Sequence, residues 1–381
     1  MRNLALIILL FTILPLAGCG SAAEVEHQAY ALVLGVDETA GGGIALTIRI
    51  PRIGRTGGNA EDNGGSEPYL VLSAEGGSYA QALEHLQWAT ARELNLSHLK
   101  LIIASRSLSA SQAFVELIRQ IAETRHLYTT AGFIVCEGEA KAFIEGQETI
   151  LGTHLSSEIG AMFRHYADHG YIPRATFADL YYATLSGLSD PTGIWGFLDE
   201  GDTPDETREA AALIGGDAKA LREGAQTASS RQYLGAAVFR EGRLARRLDA
   251  RDTLCLNLLT ARVDSFTYAC NGTDYALSAM RRPQRRVRID GDGVTVSAVL
   301  WLSSEDDASR QALEALKRDL SETLEAMIRR CQRSGIEPFG FAERAAARFL
   351  TLSDWRRFNW RERFPTAQVE VTVHIAAPGK A

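Results

Sequence analysis

The sequence predicts an α+β protein of several domains, three in number, with mixed or antiparallel sheets packed by helices and one long helix near the C-terminus. Three observations carry that prediction. Ile44, Leu46, Ile48 and Ile50 alternate with Ala45, Thr47 and Arg49 behind a Gly41-Gly42-Gly43 turn, the pattern of a hairpin strand with one apolar face. Leu313, Leu316, Leu320, Leu324, Met327, Ile328 and Cys331 recur at helical spacing and mark one face of a long helix. Between these regions, residues 199–231 are rich in Asp, Glu, Gly, Ala and Ser, a composition suited to a linker.

Elements follow in order. Ala29 to Asp37 reads as a buried strand, and the alternating strand after it ends at Pro51. Residues 54–68 form a polar, Gly-rich loop, and Tyr69 to Ala74 is a further strand. Ser78 is placed to cap a helix whose face carries Ala82, Leu83 and Leu86. His98 to Ser105 is an apolar strand, Ser109 to Glu123 a helix, Ala131 to Cys136 a strand and Glu139 to Ile144 a short helix. Strands alternating with helices in this way predict a mixed sheet with helices packed on it, an N-terminal α/β domain over residues 28–146. Residues 147–200 then carry two helices, Gly152 to Ala167 and Thr176 to Leu185, and are expected to form a small, mainly helical middle domain.

After the linker at 201–230, residues 231–376 predict an α+β domain. It is expected to open with a hairpin, Tyr233 to Phe239 and Leu244 to Leu248. Strands follow at Val263 to Cys270, Tyr275 to Met280, Arg286 to Ile289 and Val294 to Leu302. Ser303 or Ser304 is expected to cap the long helix, and Gln368 to Ile375 alternates as a final strand.

The N-terminus is of a different kind. Arg2 precedes an almost unbroken apolar run from Leu4 to Leu14, and Leu16-Ala17-Gly18-Cys19 follows Pro15. A charged start, an apolar stretch and small residues ending on a cysteine are the marks of a secretory signal, too short for the roughly 20 apolar residues of a membrane span. Residues 1–18 are therefore expected to be a signal peptide. The site resembles the bacterial lipobox, in which Cys19 would carry a diacylglyceryl group and an N-acyl chain. Residues 19–27 would be the lipidated tether. Two acyl chains suffice for stable anchoring.

Composition places the full sequence among globular chains, with 46% hydrophobic and 23% charged residues. Charge is uneven: residues 1–225 hold 15 basic against 28 acidic side chains, and residues 226–381 hold 25 against 19. Export and overall acidity argue against nucleic acid as a partner. Cys136, Cys255, Cys270 and Cys331 form no CxxC pair, so no structural zinc is expected, while Cys255 and Cys270 are read as a disulfide or as two buried thiols. His165 with His169, and His154 with Glu158, are i,i+4 pairs without a third ligand at a telling distance and read as solvated polar faces. No GxSxG, P-loop, GxGxxG or HExxH occurs, so neither catalysis nor a cofactor is expected. The run Arg281 to Arg288 is read as a strand and turn, and Trp355, Phe358, Trp360 and Phe364 as core.

Several segments together resemble the Ger(x)C family of spore germination lipoproteins. They are the lipobox, Leu34-Gly35-Val36-Asp37, His98-Leu-Lys-Leu-Ile-Ile103, Gly170-Tyr171-Ile172-Pro173, the hairpin from Leu234 to Leu244, Phe339-Gly340-Phe341, Trp355 to Pro365 and Val369 to Val373. Gly20-Ser21 replaces the family's Trp-Asp after the lipid cysteine, and the end at Ala376 to Ala381 is short, which makes this a divergent member. The resemblance implies a non-enzymatic C subunit of a nutrient germinant receptor. Such a subunit is lipid-anchored on the outer leaflet of the inner spore membrane and assembles with A-type and B-type subunits. An alternative from the residues alone is a lipid-anchored extracytoplasmic solute-binding protein, which would need two similar lobes around a cleft. A surface hydrolase ranks last for want of a nucleophile or metal motif.

Overall fold

The computed structural model describes residues 27–52, 69–124, 127, 130–146, 155–198, 231–291, 293–306 and 308–377. Cys19 with its signal peptide and the tether as far as Glu26, the loop at 54–68, His154 and the linker at 201–230 lie outside the described residues.

The N-terminal part is built on an eight-stranded sheet. Its strands are β2 (Val33–Glu38), β3 (Ile44–Pro51), β4 (Tyr69–Gly76), β6 (Leu101–Ser105), β7 (Gly132–Cys136), β8 (Thr192–Leu198), β9 (Arg231–Arg240) and β10 (Arg243–Leu248). They lie in the order β10-β9-β8-β7-β6-β2-β3-β4. The four central strands pair in parallel, and an antiparallel pair flanks them on each side. Two short strands, β1 (Gln28–Tyr30) and β5 (Glu93–Asn95), pair separately.

Parallel strands covered on both faces read as continuous apolar runs, and β6 is buried along its whole length. One face packs on α1 (Tyr79–Ala89), α3 (Ala113–Ala122) and α6 (Phe177–Ser186) through Leu86, Phe114, Leu117, Phe133 and Phe177. The short α2 (Arg106–Ala110) precedes α3. The opposite face packs on α4 (Ala140–Glu145) and α5 (Leu155–Asp168) through Ile103, Ile134, Phe143 and Ile159. Capping follows the sequence: Ser78 accepts the Gln81 amide at 3.3 Å, and Thr176 and Asp179 form a capping box on α6.

The C-terminal part is a five-stranded sheet of β11 (Phe266–Cys270), β12 (Thr273–Ala279), β13 (Gln284–Asp290), β14 (Gly293–Ser304) and β15 (Gln368–Ala376). β14 pairs with β12 and β13 in antiparallel fashion and with β15 in parallel. The long helix is α8 (Arg310–Arg333), and every residue of its expected stripe is buried. It starts later than expected: β14 runs on through Ser304, and Ser309 is the cap, accepting the Ala312 amide at 3.2 Å. The short helices α9 (Phe341–Ala346), α10 (Leu352–Phe358) and α11 (Trp360–Arg363) precede β15.

Two arrangements differ from the expected order. The hairpin β9–β10, expected to open the C-terminal domain, completes the first sheet: Ala236 and Ala237 pair with Ile194 and Gly193 of β8. Alternation and a Gly turn specify a hairpin but not the strand it joins. Nor do residues 155–198 stand apart as a helical unit. Their helices cover opposite faces of the first sheet, and Thr192–Leu198 supplies a strand of it. The other face of β9, with Ala236 and Val238, belongs to the C-terminal core, so the two parts share one strand.

Candidate functional site

The junction is sealed by α7 (Ala250–Thr260), a helix buried on nearly every side. Asp249 caps it, accepting the Asp252 amide at 2.6 Å. Its polar side chains reach both parts of the molecule. Asn257 donates to the carbonyls of Gly170 at 3.0 Å and Ile172 at 2.9 Å, binding the turn after α5. Gly170 has φ +80°, and a Cβ there would stand 2.6 Å from Leu254 Cδ1 of α7, so this position requires glycine. On its far side Asp252 forms an ion pair with Arg330 of α8, and burial raises the Asp252 carboxyl above its usual range. The Gly170-Tyr171-Ile172-Pro173 segment is thus a docking turn for α7.

A second seam contains two buried carboxylates. Asp190 follows α6, and Glu337 follows α8; they are 3% and 5% exposed. The Glu337 carboxyl group accepts the amides of Phe339, Phe341 and Ala342, all at 3.0 Å, and so holds the Phe339-Gly340-Phe341 turn into α9. Asp190 accepts the Glu337 amide at 2.7 Å and the Arg361 guanidinium at 3.2 Å. A cleft of about 140 Å³ borders the pair, lined by Ser189, Trp355, Trp360 and Arg361 among others.

Burial pushes the Glu337 carboxyl up to about 8, against the pull of its three amide donors. Asp190 is raised for the same first cause. In the unfolded chain Glu337 ionises near 4.5, so between that pH and about 8 the folded state holds the extra proton. Stability from this group is complete below about 4.5 and is lost as pH rises toward 8. We expect the urea midpoint to fall from pH 5 to pH 8, and to fall less in Glu337→Gln. Equal slopes in the two proteins would mean that Glu337 is ionised throughout.

A fourth buried carboxylate explains the Leu34-Gly35-Val36-Asp37 segment. Asp37, at the end of β2, accepts the amides of Ala140 at 2.7 Å and Lys141 at 3.0 Å, capping α4. A Cβ on Gly35 would lie 2.5 Å from Ile144 Cδ1, so the missing side chain lets α4 sit on the sheet.

The remaining candidates sort as follows. Cys136, Cys255, Cys270 and Cys331 are free, buried thiols; Cys255 and Cys270 share the C-terminal core without a bond between them. Burial raises Cys255 and Cys331 to about 12, which makes them unreactive. The rings of His165 and His169 lie with centroids 4.3 Å apart, tilted by 51°, at the C-terminal end of α5. Among the described residues no group of three or more His, Cys, Asp and Glu side chains is placed to hold a metal, and no helix is long and apolar enough to cross a membrane. In the arginine run, Arg281 lies 3.5 Å over the Trp301 ring, Arg288 pairs with Asp290, and Arg285 turns inward to the Phe339 carbonyl. Trp360 and Phe364 are core, and Trp355 and Phe358 stack beside them.

Sequence reasoning missed Asp190, Glu337, Asp252 and Asn257. A signal was present for one of them: Glu337 stands between Ile336 and Pro338-Phe339, a lone carboxylate in an apolar run.

Residues 21–192 match the family described as "Spore germination protein N-terminal domain", and residues 234–377 match "Spore germination B3/GerAC like, C-terminal". The chain is 24% identical over 136 residues to spore germination protein KC of Bacillus subtilis (strain 168), a match covering 35% of this chain and 33% of that protein. Putative spore germination protein YfkR of the same organism is 22% identical over 379 residues, covering 93% of this chain and 91% of its own. The crystal structure of the GerBC protein superposes with a TM-score of 0.53 at 12% identity, over 91% of this chain and 97% of that one, which shows a shared fold. With both family regions present in order and the same fold throughout, the chain belongs to the Ger(x)C family of spore germination proteins.

Proposed function

We propose that this chain is the C subunit of a nutrient germinant receptor. In this reading it is a non-enzymatic, lipid-anchored protein on the outer leaflet of the inner spore membrane, needed for assembly or signalling with A-type and B-type subunits. The observation that carries the reading is the pair of family regions spanning nearly the whole chain. The buried polar groups support it: Asp190, Asp252, Asn257 and Glu337 are each engaged in joining one segment of the fold to another. Such a body suits a rigid subunit that presents surfaces to partners.

Cys19→Ala tests the anchor and the role together. The variant is expected to move from the spore membrane fraction to the soluble fraction, folded, and the nutrient response is expected to drop toward that of a strain lacking the protein. Full germination with the protein soluble would separate function from the lipid. Affinity purification from spore membranes is expected to bring down A-type and B-type subunits; recovery without them would count against the receptor assignment.

A further inference from the structure

Between α9 and α10 the chain turns outward. Leu350 is 101% exposed and Leu352 60%, the former the most exposed large apolar side chain among the described residues. Single exposed leucines are ordinary. These two are held out from both sides. The Phe349 ring packs on Trp355 at 5.6 Å and on Phe358 at 4.9 Å, which fixes the entry to the turn. Thr351 caps α10, accepting the Asp354 amide at 3.1 Å and donating to the Asp354 carboxylate at 2.7 Å, which fixes the exit. With its neighbours so engaged, the pair is presented to solvent.

The surroundings are basic. Arg344, Arg348, Arg356 and Arg357 are all exposed on the flanking segments. Of these, Arg357 reaches Asp354 at 3.4 Å and remains 78% exposed. Glu343 is occupied by Ser189, and Glu362 is the other acidic side chain of the region. Two projecting aliphatic tips on segments that carry four exposed arginines complement a surface that is apolar within and anionic at its rim.

We propose that the Leu350–Leu352 turn docks into the headgroup region of an anionic lipid bilayer, with the four arginines on lipid phosphates. Acyl chains take up the leucines, while the guanidinium groups stay at the polar boundary. This contact adds to the Cys19 anchor proposed above and gives the C-terminal part its own hold on the membrane.

The four natural cysteines among the described residues are buried, so a thiol placed at 350 can be labelled selectively. The test uses the full lipidated chain carrying Leu350→Cys with an environment-sensitive dye. It is reconstituted on vesicles of phosphatidylcholine alone or with phosphatidylglycerol, and flotation is followed in parallel. The expected result is a blue shift and brighter emission on phosphatidylglycerol vesicles, weaker on phosphatidylcholine. Replacing each flanking arginine by Gln should shift the docking equilibrium about fivefold toward the undocked form. A chain that floats while its dye keeps the emission seen in water overturns the docking and leaves the anchor standing. A chain that does not float overturns both. Emission that shifts equally on both vesicle types, or only after A-type and B-type subunits are added, overturns the lipid assignment; the second outcome would identify a protein socket.

Discussion

Replacing Glu337 by Ala is expected to destabilise the protein by roughly 3–6 kcal/mol, because each of three buried amides left without an acceptor costs about 1–3 kcal/mol. Folded domains hold only about 5–15 kcal/mol in total. The amides belong to Phe339, Phe341 and Ala342, so the damage begins in the turn that seats two aromatic rings in the C-terminal core. Asp190 retains Arg361 and the Glu337 backbone amide, so the seam loses its centre and keeps its edge. Chemical unfolding monitored by tryptophan fluorescence checks this directly, since Trp355 and Trp360 line the adjacent cleft. Glu337→Gln should lie between wild type and Ala: one oxygen can still accept two amides, while the new NH₂ faces a third donor. An Ala variant within about 1 kcal/mol of wild type would show that water replaces the carboxyl group there.

The second large effect is expected at Asn257. Its amide nitrogen is shared between the carbonyls of Gly170 and Ile172, and no other donor is placed to replace it among the described hydrogen bonds. Asn257→Ala removes two buried hydrogen bonds and leaves a gap inside α7, costing about 3 kcal/mol. Asn257→Asp should be worse, since a carboxylate would face two carbonyl oxygens in a buried site. The readout that separates this from general loosening is local: amide exchange should quicken first from Gly170 to Ile172 and along α7. Uniform quickening across both sheets would mean that the junction has no special role.

Much of this architecture was legible in the residues. The alternation of Ile44 to Ile50 marks β3, and the Leu313-to-Cys331 stripe marks the buried face of α8, because each has one apolar side and a clear period. α7 was not legible for the opposite reason. Buried all round, ARDTLCLNLLT has no periodic contrast to detect, and its Asn and Asp suggest surface rather than interior. β8 was hidden by Gly193 and Gly196, which weaken a strand signal; Phe133 and Phe143 occupy the space their side chains would need. The placement of β9–β10 depended on which strand edge lay open, a tertiary fact with no local trace. Asn257 shares that character: it is recognisable only once Gly170 and Ile172, remote in sequence, are brought beside it, whereas the amide partners of Glu337 lie within five residues of it.

The shared strand has a further consequence, for the order of events during synthesis. A ribosome delivers β2 to β8 well before β9, with residues 199–230 between them. Until then the growing chain presents the edge of β8 as a row of unpaired amides and carbonyls, the kind of edge that recruits foreign strands. Final closure of the first sheet therefore waits on the segment that also begins the second core. The last step of the first half is thus the first step of the second, and an N-terminal half expressed alone would carry an open seam where its continuation belongs.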